Sequence, residues 1–398
     1  MTRTIPIFAQ NPVSTATTLE FRKSPALSLY VHVPWCVQKC PYCDFNSHEA
    51  GETIPERAYV DALIADLQSA LPLIWGRPVV SVFFGGGTPS LLSPAAIDEL
   101  LAAFRALAML SPEAEITLEA NPGTVEASKF AGFRAAGVNR LSLGIQSFND
   151  AHLQALGRIH DAAEAKTAAR LASEHFERFN LDLMYGLPGQ TLDEALADVE
   201  TALGFAPPHL SCYQLTLEPN TRFAAFPPEL PEGDVCADMQ EAIEGRLAAA
   251  GYANYETSAF AQHGKQCLHN LNYWHFGDYL GIGAGAHSKL TLHDRVLRQM
   301  RWKHPAAYLE KAPSGAAVQE SREIPATQLP FEFLMNALRL ADGFAPSLFE
   351  TRTAQPLASI LPQLKAAEAD GLLAISAERI APTLRGRRFL NPLLERFL

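Results

Sequence analysis

The stretch CVQKCPYCDF, Cys36 to Phe45, sets three cysteines within eight residues and a phenylalanine where a fourth could stand. Cysteines this close surround one ion or cluster better than they bridge each other, so the spacing points to a metal centre rather than disulfides. A structural zinc site closes a tetrahedron with four Cys or His ligands and would need His32 or His48 here, although zinc ligands usually come as two spaced pairs. An iron–sulfur cubane normally takes four thiolates, and three leave one iron open to a substrate-like ligand. An open iron implies chemistry. The glycines of GGGTP, Gly85 to Pro89, let backbone amides and carbonyls approach a ligand closely. No lysine follows them, so the phosphate-loop pattern fails.

The elements that must position these residues follow from periodicity. Short apolar, β-rich runs at 28–33, 79–84, 115–119, 140–146, 180–186 and 210–217 give six strand candidates. Between them, segments such as ERAYVDALIADLQSAL, SPAAIDELLAAFRAL and TLDEALADVETALGF carry helical apolar spacing. The alternation predicts an α/β fold of repeated βα units on a parallel sheet. Eight units need about 250 residues, and Ser28 to Leu217 is shorter, so the expectation is a partial (β/α)6 barrel. Ligands in such folds sit at the carboxyl ends of the strands, where Gly85 to Thr88, Glu119, Gln146 and Asp182 fall. Singly, a strand-end carboxylate is often a helix cap, and an arginine such as Arg158 is often a surface ion pair.

After the sixth run, PPELPEGD reads as a joint, followed by an amphipathic segment and the aromatic stretch HNLNYWHFGDYLGIGAGAHS, whose GIGAGAH suggests a tight crossing near the site. A second joint, KAPSGAAVQESREIPATQ, precedes two helix patterns and a short hairpin. The expected division is a flexible tail at 1–24, a core barrel at 25–225, an extension at 226–312 and a small C-terminal domain at 320–398.

With 398 residues, 48% of them hydrophobic, the chain can bury a large core. A net charge of -11 argues against general nucleic-acid binding, although LRGRRFLNPLLERFL could form a local basic patch. Cys212, Cys236 and Cys267 stand alone and read as buried small hydrophobes, which suits a reducing, cytoplasmic setting. No apolar run approaches the roughly 20 residues that cross a bilayer. Peripheral membrane contact is compatible with that.

The C-x3-C-x2-C spacing of Cys36, Cys40 and Cys43 resembles the signature of the radical S-adenosylmethionine (SAM) superfamily. Together with LYVHVPWCVQKCPYCDFNSH, SVFFGGGTPSLL, RLSLGIQSFND and DLMYGLPGQT, almost the whole chain resembles the oxygen-independent coproporphyrinogen III oxidase-like family. That resemblance implies a [4Fe-4S] cluster on the three cysteines, SAM on the open iron, an electron donor, and reductive SAM cleavage to a 5'-deoxyadenosyl radical. It implies SAM contacts at Tyr30, Tyr42, Gly86, Gly87, Thr88, Glu119, Gln146, Arg158 and Asp182, and a small winged-helix-like C-terminal domain.

The oxidases of the family have C-x3-C-x2-C-x-C, with a fourth cysteine that is not a ligand, and Phe45 occupies its place here. They also carry a more elaborate N-terminal segment than the 27 residues before the first strand of this chain. Both features point to the family's haem-chaperone branch, which passes haem to acceptor proteins. HNLNYW looks like that branch's H-N-x-x-Y-W motif, implying haem binding at His269, Asn270, Tyr273 and Trp274, with His275 and His287 as alternative ligands. Haem iron accepts histidine readily and aromatic neighbours suit a flat macrocycle, while a packed aromatic turn would use the same residues. A haem chaperone is therefore the leading expectation. A coproporphyrinogen III oxidase is the enzyme alternative, and a structural zinc protein is the third, disfavoured by GGGTP and Gln146.

Overall fold

The computed structural model describes residues 19–51 and 53–398. Most of the expected tail, residues 1–18, lies outside the described residues. Six parallel strands form the centre of one sheet: β1 (Leu27–Val33), β2 (Pro78–Gly86), β3 (Met109–Ala120), β4 (Arg140–Gln146), β5 (Phe179–Tyr185) and β6 (His209–Gln214). All six runs read from the sequence are strands.

Each strand sorts its residues by alternation. On β1, Leu27, Leu29, Val31 and Val33 join the main apolar core with Tyr59, Leu63 and Leu67 of helix α1 (Glu56–Ile74), while Ser28, Tyr30 and His32 alternate with them. The helices between strands start where the sequence supplies caps. Ser93 accepts from the Ala96 amide at the head of Pro94–Leu107, and Asp161 and Thr191 form capping boxes with Glu164 and Glu194.

Beyond the sixth unit the chain departs from expectation. A seventh parallel strand, Asp278–Ile282, pairs with the free edge of β1, bringing Gly281 opposite Tyr30. Three antiparallel strands continue outward from it, His287–Thr291, Val296–Arg301 and Val318–Glu323. The last lies in the stretch expected to be a joint; its VQESRE is polar and largely exposed, as suits the outer edge of a sheet. On the other side β6 pairs with the short antiparallel strand Ala259–Ala261. The sheet does not close.

A buried ion pair fixes this extension to α1. Arg301 meets Asp66 at 3.2 Å, and Asp66 also accepts from the Tyr308 hydroxyl at 2.9 Å and the Gly283 amide at 3.3 Å. The glycine-rich crossing is tight in fact. A side chain at Gly281 would put its Cβ 2.1 Å from the His287 carbonyl oxygen.

The C-terminal part packs helices Leu329–Ala337, Pro346–Thr353 and Leu361–Ala369 with the hairpin Leu373–Ile375 and Ile380–Pro382 around its own core, including Phe333, Phe344, Phe349 and Leu364. Leu19 and Phe21 pack into that core, and the Phe21 amide donates to the His293 carbonyl at 2.9 Å. Residues 19–21 are therefore docked and do not belong to a loose tail, because two apolar side chains find a cleft there.

Candidate functional site

The cysteine loop leaves β1 at Val33 and returns at α1. It is tied down on both sides: the His48 amide donates to the Pro34 carbonyl at 2.7 Å, and the Ala50 amide to that of Cys36 at 2.7 Å. Asn46 reaches out of the loop, its Nδ2 donating to the Ala284 carbonyl at 3.0 Å and the Lys303 carbonyl at 2.9 Å. Its own carbonyl lies 2.9 Å from Nε2 of His32, whose Nδ1 is 3.0 Å from the Tyr30 hydroxyl.

Cys36, Cys40 and Cys43 are all free and half-buried. Burial pushes the Cys36 thiol up, and hydrogen bonds from the Thr88 and Ser47 hydroxyls oppose it. Burial likewise raises Cys43. Arg158 places Nη1 3.5 Å from Cys40 Sγ, while its Nη2 donates to Asn121 Oδ1 at 2.6 Å and the Gly144 carbonyl at 2.9 Å. Asn121 in turn donates to Thr88 Oγ1 at 3.1 Å. A chain of polar contacts thus links Cys40 through Arg158, Asn121 and Thr88 to Cys36.

The carboxyl ends of β1 to β4 supply the rest. Gly86 adopts φ 114°, where a Cβ would lie 2.7 Å from the His32 ring, so only glycine lets these two strand ends meet. Its amide donates to Glu119 Oε2 at 3.3 Å. Burial pushes the Glu119 carboxyl up to about 8, the charge of Asp182 adds to that, and the Gly86 amide and Arg140 oppose it. Gln146 has a left-handed backbone, φ 69°, unusual for a residue with a side chain. Its Oε1 accepts from the Tyr213 hydroxyl at 2.7 Å. Tyr30, His32, Gly86 and Glu119 line a cavity of about 400 Å³ with Phe45, Tyr273, Tyr279 and His287. Phe45 is 60% exposed there.

Asp182 and Tyr42 complete the expected SAM residues. Asp182 lies mid-strand rather than at the end of β5, its carboxylate accepting from Asn180 at 2.7 Å and Ser142 at 3.3 Å. Tyr42 packs with an apolar group containing Met184, Leu187 and Phe223, near Cys40 and Arg158.

The HNLNYW segment is a helix, Leu268–Trp274, on the amino-terminal half of the sheet. His269 is 1% exposed: its Nδ1 is 2.9 Å from Ser81 Oγ, its amide donates to Glu115 at 3.2 Å, and its ring lies 4.9 Å from Phe83. Burial, then the nearby Arg140 charge, lowers its pKa to about 3. The ring is enclosed, and its Nε2 is buried without a hydrogen-bond partner. Asn270 is half-buried. Trp274 carries the Arg339 guanidinium 4.4 Å above its ring. Only Tyr273 of the segment reaches the cavity. Asn46, Asn121 and Tyr213 escaped sequence reasoning; Asn121, two residues past Glu119 at the same strand end, carried the one usable signal.

The donor set fits a cubane. Three thiols lie on one loop with a guanidinium beside Cys40 whose Nε is buried and has no hydrogen-bond partner. Among the described residues no three His, Cys, Asp or Glu side chains gather about a single metal ion, whereas in a cubane each thiolate takes a different iron.

Sheet, cysteine loop and glycine turn together define a radical SAM protein. The family described as the Radical SAM superfamily matches residues 30–202, and the HemN C-terminal domain matches residues 324–389. The solved structure of coproporphyrinogen III oxidase (HemN) from Escherichia coli, a radical SAM enzyme, superposes with a TM-score of 0.79 at 25% identity, covering 94% of this chain and 90% of that one. Heme chaperone HemW of Escherichia coli K12 is 51% identical over 94% of this chain and 99% of its own, and that of Haemophilus influenzae is 50% identical over the same shares. The chain belongs to the HemW family. Membership implies a [4Fe-4S] cluster and SAM, and among the described residues no helix is long and apolar enough to cross a membrane.

Proposed function

We propose that this chain is a haem chaperone, binding haem and passing it to acceptor proteins. The observation that carries the reading is the 51% identity to a heme chaperone across 99% of that protein's length. Phe45, in place of the oxidases' additional cysteine, supports it. In this reading Cys36, Cys40 and Cys43 hold the [4Fe-4S] cluster, SAM takes the open iron, and an electron donor serves the cluster. When bound, the cluster supplies one electron to SAM. Arg158 keeps a positive charge beside Cys40, Thr88 donates to Cys36, and Glu119, held by the Gly86 amide, presents a carboxyl to the ligand's polar end. The free cysteines support work in a reducing compartment, the cytoplasm, and the acidic net charge supports a protein rather than a nucleic-acid partner.

The test is titration of the anaerobically reconstituted protein with hemin, followed at the Soret band. Saturation near one haem per chain is expected, and absence of saturable binding refutes the reading. The likeness to HemN favours a second reading, oxidative decarboxylation of coproporphyrinogen III; turnover of that substrate by a protein that does not bind haem would put it first. A zinc protein would be colourless and free of sulfide.

A further inference from the structure

We infer that the haem docks outside the barrel, in the groove between the helix Leu268–Trp274 and the C-terminal domain, with His275 as the iron's axial donor and Arg352 and Arg379 receiving the propionates. This rests on the chaperone reading and places its cargo.

Helical geometry separates two faces of one short segment. Residues four apart share a face, so His269 and Tyr273 look into the sheet while Leu271 and His275 look the other way. The second pair lines a groove of about 620 Å³, a size suited to a drug-sized or cofactor ligand. Its apolar wall includes Leu271, Phe344 and Leu348, and two arginines stand beside it.

Arg352 and His275 there are short of partners. Arg352 uses Nε to donate to the His275 carbonyl at 3.2 Å, and among the described residues no carboxylate lies within ion-pair distance of it. Arg379 donates to the Asp342 carbonyl at 3.0 Å and reaches its carboxylate, the one lining the groove, at 3.8 Å, where Asp342 is almost fully exposed. A half-buried guanidinium without an anion is a site for one, and Arg pairs with carboxylates through two parallel N–H bonds. The ring of His275 has no hydrogen-bond partner among the described residues and lines the groove, whereas His269 is enclosed, with Nδ1 on Ser81 and Nε2 unpartnered. Burial, and then Arg352 and Arg379, hold the His275 pKa down, which keeps the neutral imidazole that ligates iron. The cavity at the cysteine loop is less suitable: it is smaller and carries the Glu119 carboxyl, which would face the propionates.

The experiment titrates hemin and hemin dimethyl ester into the full-length reconstituted protein and into His275→Ala, His275→Met, Arg352→Glu and His269→Ala, with circular dichroism to check folding. His275→Ala is expected to weaken hemin binding roughly ten- to a hundredfold, and His275→Met to retain a haem with a changed Soret and charge-transfer spectrum. Arg352→Glu should weaken hemin by a similar factor and the uncharged ester far less. His269→Ala, where folded, should keep the wild-type spectrum. If His275→Met keeps the wild-type spectrum and Arg352→Glu the wild-type affinity, the groove is refuted while the chaperone reading stands. If the wild-type protein binds no hemin, both fall.

Discussion

Glu119 offers a sharp test of how the fold treats its ligand-facing carboxyl. The side chain sits beside the Gly86 amide, half-buried, with its pKa pushed up to about 8 from an ordinary 4.5, chiefly by burial. An acid whose folded pKa lies above its unfolded one holds a proton that the unfolded chain has lost. The folded state is therefore favoured fully below pH 4.5, and that advantage drains away as pH rises through 8. Each pH unit is worth roughly 1.4 kcal/mol, so the whole interval is on the order of 5 kcal/mol. Water in the adjoining cavity screens part of this and leaves about 2 to 3 kcal/mol. Glu119→Gln removes the ionisation and keeps the shape. Comparing thermal unfolding of the cluster-free wild type and variant from pH 5 to pH 9 isolates the term together with its coupling to Asp182. The variant should match the wild type near pH 5 and exceed it increasingly toward pH 9. Parallel curves would show that Glu119 ionises without penalty and would refute the burial argument.

Cys40→Ala should abolish cluster assembly, seen as loss of iron, sulfide and the visible absorption band; a normal cluster spectrum would remove Cys40 from the ligand set. Tyr213→Phe strips Gln146 of its 2.7 Å donor and should weaken SAM binding by about 1 to 2 kcal/mol, measured by calorimetry against an unchanged cluster content. His269→Ala removes one of the two partners of the Ser81 hydroxyl, leaving Ser28, and should lower the unfolding free energy by about 1 to 3 kcal/mol, read from denaturant titration. Phe21→Ala empties a buried pocket in the C-terminal core and should cost about 3 kcal/mol, detectable as faster proteolysis of that domain.

The six central strands were legible because their outward residues are continuous aliphatics flanked by helical periodicity, as in LSLYVHV. The cysteine loop and GGGTP were legible as local spacings. What stayed hidden depends on pairing across the chain. Asp278–Ile282 lies parallel to β1 beside an α1 that holds Arg301 and Gly283 through Asp66, contacts more than two hundred residues apart in sequence. The edge strand Val318–Glu323 has no apolar face to betray it. The two faces of HNLNYW were invisible too: the letters suggest one aromatic motif, while the helix turns His269 into the sheet and His275 toward a groove built by residues some seventy positions later. Asn121 and Tyr213 gain meaning only when strand ends assemble.

The reach of Asn46 bears on how the protein is made. Its two carbonyl partners lie 238 and 257 residues further along the chain. At about 5 to 20 residues per second, a ribosome needs roughly ten to fifty seconds after Asn46 to supply them. During that time the cysteine loop lacks its outer buttress, and its thiols stand open to oxidants and stray metals. Loading of the cluster in its finished setting is thus a late event, following synthesis of the sheet's outer strands, and a nascent chain halted before Lys303 should accept iron and sulfide poorly even though all three cysteines have long since left the exit tunnel.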